Sequence, residues 1–148
     1  MDVAGKRVVV TGASRGIGAE IAKEFAAAGS YVVLSARSKE AISELAHEIN
    51  GIAIPFDAND PEDVRNYINH VEEAAGPIDV LINNAGIEKS TLIEDITENE
   101  IEETLRVNLI SPQILTAAVL PKMLARGSGH LVYTSSIAAT TGNPAMSA

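Results

Sequence analysis

The 148-residue sequence contains no cysteine and no tryptophan, and only 3% of it is aromatic. Without thiols there is no disulfide, no thiolate nucleophile and no cysteine-based zinc site. The three histidines, His47, His70 and His130, are scattered without ligand spacing, and no His-Glu-x-x-His helix occurs, so no metal centre is expected. Positive charge is also scarce: 11 Lys and Arg face 20 Asp and Glu, a formal net charge of −9. Nucleic-acid binders gather basic patches and aromatic platforms, so this composition argues against such a partner. Charges, Gly or Pro interrupt each apolar run before the roughly 20 residues a membrane helix needs. The opening MDVAGKRVVVTG carries no secretory pattern. The expectation is a cytoplasmic protein with no membrane partner. What is present, 46% hydrophobic and 21% charged residues, suffices for a buried core, and the length suits one domain over residues 1–148.

Short apolar runs alternate with segments of helical period, the pattern of successive βαβ units. The β-branched run Arg7 to Thr11 reads as a strand buried on both faces, followed by a turn at Gly12 to Gly16. Ile17, Ile21, Ala22 and Phe25 then recur at helical spacing up to a cap at Gly29, and Tyr31 to Ser35 is a second strand. Ser38 caps a second helix with Ile42, Leu45 and Ile49 on one face, and Ile52 to Phe56 is a third strand. Asp60-Pro61-Glu62-Asp63 starts a third helix, striped by Val64, Ile68 and Val71 and stopped at Gly76-Pro77 before a strand at Ile78 to Ile82. Thr97 and Glu100 have capping-box spacing and open a long helix reaching Pro121 or slightly past it. Leu131 to Thr134 is a fifth strand. Right-handed crossovers then predict a doubly wound parallel sheet, a Rossmann fold, in the order 3-2-1-4-5. A ligand belongs where the winding reverses, at the carboxyl ends of strands one and four.

The first strand delivers Thr11-Gly12-Ala13-Ser14-Arg15-Gly16-Ile17-Gly18 to that point. Glycines there let a backbone approach a pyrophosphate, and the amides of a helix start attract its charge; a plain tight turn is the alternative. Asn83-Asn84-Ala85-Gly86 follows the fourth strand at the same crevice, where turn chemistry alone is again an alternative. Asn108 lies within a long, largely apolar helical segment and needs partners if buried. Ser135-Ser136 ends the fifth strand. Gly-Lys-Ser or Gly-Lys-Thr after the glycines and Gly-x-Ser-x-Gly are both absent, so phosphate-transfer loops and hydrolase elbows are not expected.

Together, TGASRGIG at 11–18, NNAG at 83–86, Asn108 and Ser136 closely resemble the short-chain dehydrogenase/reductase family over essentially the whole chain. The resemblance implies hydride transfer between a nicotinamide and a carbonyl or alcohol carbon of a small molecule, with 3-oxoacyl reductase-like activity a fair guess. It implies that Gly12, Gly16 and Gly18 line the cofactor diphosphate with Ile17 nearby, that Ser14 of the same loop is cofactor-binding, that Asn84, Ala85 and Gly86 lie along the ribose side, that Asp57 meets the adenine amino group, and that Val107 sits close. It makes Ser136 the holder of the substrate oxygen and Asn108 part of a water relay. After the second strand, Ser35-Ala36-Arg37-Ser38 offers no carboxylate to a ribose 2′-hydroxyl, while Arg37 and Arg15 suit a 2′-phosphate, so NADP(H) is favoured over NAD(H).

The family's tyrosine, with a lysine four residues on, is not matched. Tyr31, Tyr67 and Tyr133 all lack that lysine, and Tyr133 precedes Ser136 by three residues, which points the two to opposite strand faces. The tyrosine usually follows its serine by roughly a dozen residues, just beyond Ala148, and residues 142–148 resemble the approach to it. A truncated enzyme, inactive alone, is the expectation, with a non-catalytic NADP(H)-binding module or a pseudo-enzyme fragment as alternatives. Strand five would then be an open edge beside uncovered apolar surface, making the fragment marginal or self-associating although full-length relatives are often homo-oligomers.

Overall fold

The structure, a computed structural model, describes residues 2–141. Residues 142–148, where the approach to the tyrosine was read, lie outside the described residues. The chain alternates β1 (Arg7–Thr11), α1 (Gly16–Ala27), β2 (Tyr31–Ser35), α2 (Lys39–Ile49), β3 (Ile52–Ala53), α3 (Pro61–Ala75) and β4 (Val80–Asn83). A continuous helical run follows as α4 (Glu98–Leu105), a π-helical turn (Arg106–Ile110) and α5 (Ser111–Arg126), leading to β5 (His130–Tyr133). The five strands pair in parallel in the order β3-β2-β1-β4-β5, as the winding argument requires.

Alternation along the central strands divides the core into two layers. Val8, Val10, Val32, Leu34, Val80 and Ile82 face α1 and α2, meeting Ala22, Ile42 and Leu45. Val9, Val33 and Leu81 face the other way, meeting Val64, Ile68 and Val71 of α3 and Leu115, Val119 and Met123 of α5. Because both faces are covered, β1 and β2 are near-continuous apolar runs, and their bounds match the sequence expectation residue for residue.

The edges differ from expectation. The ladder of β3 ends at Ala53 rather than Phe56, and Pro55 stands where its nitrogen turns to the open edge and not to β2. The extended path continues through Ile54 and Phe56, whose amides donate to Leu34 and Ala36 carbonyls at 3.0 and 3.1 Å. The ladder registers place β4 at Val80–Asn83 rather than Ile78 to Ile82 and β5 one residue earlier than expected. The fourth helix is not uniformly α. Pro112 cannot donate to the Asn108 carbonyl, its i−4 partner, and the Ser111 amide instead reaches back five residues to Arg106, widening the turn.

The combined helix Glu98–Arg126 is, by length and composition, long and apolar enough to cross a membrane, which corrects the expectation that no segment is. In this fold it lies on the sheet through Val107, Leu115, Val119 and Met123. Beyond it, β5 is the outer strand, with Val132 at 43% and Tyr133 at 51% exposure.

The capping box at the start of α4 forms as read. The Thr97 amide donates to Glu100 Oε2 at 3.0 Å, and the Glu100 amide donates to Thr97 Oγ1 at 3.3 Å. The Thr97 backbone amide first, then its hydroxyl, hold the Glu100 carboxyl below its ordinary value of 4.5. A lowered carboxyl contributes its capping stability fully above pH 4.5 and loses it as pH falls through the lowered value. The Thr97 amide proton shift should therefore titrate with a midpoint below 4.5; a midpoint at or above that value would contradict the capping geometry.

Candidate dinucleotide site

The reversal of winding between β1 and β4 opens a crevice at their carboxyl ends, and Thr11 and Asn84 tie its floor together. Thr11 Oγ1 donates to the Ile82 carbonyl at 3.3 Å and accepts from the Asn84 and Ala85 amides at 3.0 and 3.1 Å, using its one donor and both lone pairs. Asn84 Nδ2 donates back to the carbonyls of Thr11 and Gly12 at 3.0 and 3.4 Å, while its Oδ1 accepts from Thr134 Oγ1 at 3.1 Å. One asparagine thus links the ends of β1, β4 and β5.

Glycine is required in this loop for two different reasons. A Cβ on Gly18 would stand 2.4 Å from the Gly12 carbonyl oxygen and 2.5 Å from Asn84 Nδ2, so only a bare Cα lets α1 settle this close to the loop. Gly16 has open space around it but a φ of +57°, the left-handed region that side chains disfavour. The Ala13 amide donates to the Ser35 carbonyl at 3.0 Å, pinning the loop to the end of β2. At the start of α1, Arg15 supplies no side-chain cap and the first turn holds no acid, so the positive end of the helix dipole faces the crevice uncompensated.

The other walls come from three segments. After β2 come Ala36, Arg37 and Ser38; Ser38 Oγ is engaged as the α2 cap, accepting from the Ala41 amide at 3.4 Å. Arg15 and Arg37 are both exposed, and neither forms an ion pair among the described residues. Phe56, Asp57 and Ala58 continue from β3, the Asp57 amide donating to Asp63 Oδ2 at 2.7 Å and its Oδ1 accepting from the Asn59 amide at 2.9 Å. Asn84 to Ile87 and Val107 close the far side.

These segments enclose a cavity of about 630 Å³. Gly12, Ser14, Arg15, Gly16, Ile17, Gly18, Arg37, Asp57, Asn84, Ala85, Gly86 and Val107, all singled out from sequence, line this one space. Phe56, Ala58 and Ile87 line it as well, apolar side chains that no motif marks. Asn108 and Ser136 are not in the lining. Asn108, exposed rather than buried, clamps Ile87: its Oδ1 accepts from the Ile87 amide at 2.9 Å and its Nδ2 donates to the Ile87 carbonyl at 2.8 Å. Ser136 Oγ accepts from the Ala138 amide at 3.2 Å, starting a short 3-10 turn. The Tyr133 hydroxyl is paired with Thr116 Oγ1 of α5 at 2.5 Å.

A glycine loop at an uncapped helix start, joined to an Asn-Asn-Ala-Gly turn at the reversal of a parallel sheet, defines a nucleotide-binding fold. Comparison with known proteins sharpens that class: residues 6–148 match the model of the short chain dehydrogenase family, and the chain belongs to it. The ketoacyl reductase HetN of Nostoc sp. is 37% identical over 143 residues, covering 93% of this chain and 50% of that protein. A short-chain dehydrogenase from Streptomyces avermitilis superposes with a TM-score of 0.90 at 36% identity, over 97% of this chain and 54% of its own. A metagenomic short-chain oxidoreductase solved in complex with NADP gives a TM-score of 0.91 at 34% identity, over 99% of this chain and 69% of its own. The chain spans about half the length of the curated relatives it matches.

The two glycine requirements separate experimentally. Gly18→Ala must displace backbone and Asn84, and should cost about 1–3 kcal/mol of stability together with distortion of the loop. Gly16→Ala meets no neighbour and should cost only the left-handed penalty, about 1–2 kcal/mol, with the Thr11–Asn84 contacts intact. Chemical denaturation and amide spectra of both variants would check this; equal disturbance of the Asn84 resonances would contradict it.

Proposed function

We propose that this protein is an NADP(H)-dependent oxidoreductase acting on a small carbonyl or alcohol, of 3-oxoacyl reductase-like type. The observation that carries the reading is the charge of the cavity rim: two exposed arginines, Arg15 and Arg37, without ion pairs among the described residues, and no carboxylate between Ser35 and Lys39. A 2′-hydroxyl calls for an acceptor after the second strand, whereas a 2′-phosphate calls for a guanidinium fork. The NADP held by the metagenomic relative and the ketoacyl reductase name of the Nostoc relative support the same reading.

In this scheme the backbone of Gly12 to Gly18 and the α1 dipole hold the diphosphate, Arg37 and Arg15 hold the 2′-phosphate, and Asp57 accepts from the adenine amino group through the oxygen its turn leaves free. Val107 and Asn84 to Gly86 bound the side toward the nicotinamide. The bound cofactor supplies the hydride. Ser136 would hold the substrate oxygen, and Asn108 a water, from positions beside rather than in the cavity lining. No tyrosine of the 148 residues has a lysine four positions on, so we assign cofactor binding without turnover to this chain. That same fact favours one other reading, a non-catalytic NADP(H)-binding module.

Titration of NADPH fluorescence should show saturable binding, and Arg37→Ala should weaken NADPH by about tenfold while leaving NADH nearly unchanged. Equal losses for the two would remove Arg37 as the phosphate reader, and robust carbonyl reduction by the purified 148 residues would show that another group serves as acid. We assign oligomer formation to the protein's apolar outer surfaces; with β5 open, the 148 residues alone should associate with rising concentration in sedimentation velocity. A strictly monomeric species with a sharp unfolding transition would contradict this.

A further inference from the structure

Behind the cavity wall lies a buried polar pair outside the glycine and Asn-Asn-Ala-Gly motifs. Tyr67 is on the α3 stripe between Val64 and Val71, and its hydroxyl is bonded to Ser35 Oγ at the end of β2. Both residues are 0% exposed. Each hydroxyl is the other's partner, so water cannot replace either one if it is lost. Burial above all pushes the Tyr67 hydroxyl well above its ordinary value, so it stays a neutral donor and acceptor.

Tyr67 touches both segments that frame the adenosine end of the cavity. Its ring meets the Phe56 ring with centroids 4.3 Å apart, tilted by 40°. Phe56 lines the cavity and is followed directly by Asp57; Ser35 is followed by Ala36 and Arg37, which line it too. The two segments are themselves joined where the Phe56 amide donates to the Ala36 carbonyl at 3.1 Å, and the Ser35 carbonyl holds the glycine loop through the Ala13 amide. One turn earlier on α3, Asp63 holds the Asp57 amide. Helix α3, which contributes nothing to the lining, therefore grips both flanks of the wall from behind.

We propose that Tyr67 is a positioning residue for the adenosine end of the cavity: through Ser35 and Phe56 it sets where Arg37 and Asp57 present their charges, and hence the affinity for a 2′-phosphorylated adenosine. This rests on the cofactor reading above. The physical reason is the asymmetry of buried hydrogen bonds. Removing one hydroxyl leaves its partner buried and unpaired, so the wall shifts to find it a substitute; removing both is nearly neutral.

The test is a double-mutant cycle on the purified protein with adenosine 2′,5′-bisphosphate as probe, which reports the adenosine end alone. Binding is measured by calorimetry well below the melting temperature of each variant, where global stability no longer enters the dissociation constant. Tyr67→Phe and Ser35→Ala should each weaken the probe by about three- to tenfold, and the double variant should recover to within about twofold of the unsubstituted protein. Should either single variant fail to fold, the other and the double complete the comparison. Coupling seen only in the melting temperature, with all dissociation constants equal, would reduce the pair to a core contact and overturn the proposal. Failure of the unsubstituted protein to bind the probe would instead overturn the cofactor assignment itself.

Discussion

For the carboxyl ends of β1 and β4 to share one ligand, their backbones must turn away in opposite directions while staying in contact, and turning strands leave amides and carbonyls without ladder partners. Thr11 and Asn84 resolve this. The threonine hydroxyl accepts the two amides that β4 leaves behind, and the asparagine amide donates to the two carbonyls that β1 leaves behind. The remaining site geometry depends on this exchange. The close approach it produces is what forbids a side chain at Gly18, and the tight loop at Gly12 to Gly16 follows from the need to bring α1 back over the same crossing.

Once that crossing is fixed, the electrostatics of the cavity follow from what is left out of it. The start of α1 lacks a side-chain cap, and Arg15 and Arg37 on the rim form no ion pair among the described residues. In a chain of net charge −9, these features give the crevice a local positive edge. Acids are plentiful elsewhere, at the capped starts of α3 and α4, where they stabilise helix dipoles instead. The distribution of charge, rather than its total, separates the binding crevice from the rest of the surface.

Much of this was legible in the residue order because the signals were local. Buried β-branched runs bounded β1 and β2, the Asp60-Pro61 and Thr97–Glu100 pairs marked helix starts, and the two turn motifs identified the lining. What escaped were features that depend on a missing donor or on a distant partner. Pro112 opens the π turn by lacking one N–H, a deficit that hydrophobic periodicity does not register, and the β3 ladder stops at Ala53 although the extended path runs on to Phe56. Val64, Ile68 and Val71 were visible as a stripe, and Tyr67 falls on the same stripe as one more bulky side chain. Nothing within α3 indicates that its hydroxyl meets Ser35, 32 positions earlier, because that contact exists only after both crossovers have packed. The fate of Asn108 was similarly hidden: helix propensity marks it as out of place, but only the fold shows that both atoms of its amide clamp the backbone of Ile87.

The cavity lining and the two polar residues beside it come from different stretches of sequence. Every residue lining the cavity lies between Gly12 and Val107, on elements whose core is closed by α1, α2, α3 and α5. Asn108 and Ser136 stand outside that lining, Asn108 bonded to the backbone of Ile87 21 positions earlier and Ser136 to the amide of Ala138 two positions on. Helix α3 braces the wall near Ser35 and Phe56 from behind, and Asn108 braces it at Ile87. On the proposed cofactor reading, the adenosine end would be the part of the cavity that α3 anchors from behind. Affinity set at one end of a cofactor and chemistry set at the other is the arrangement that lets a single nucleotide-binding frame serve many substrates.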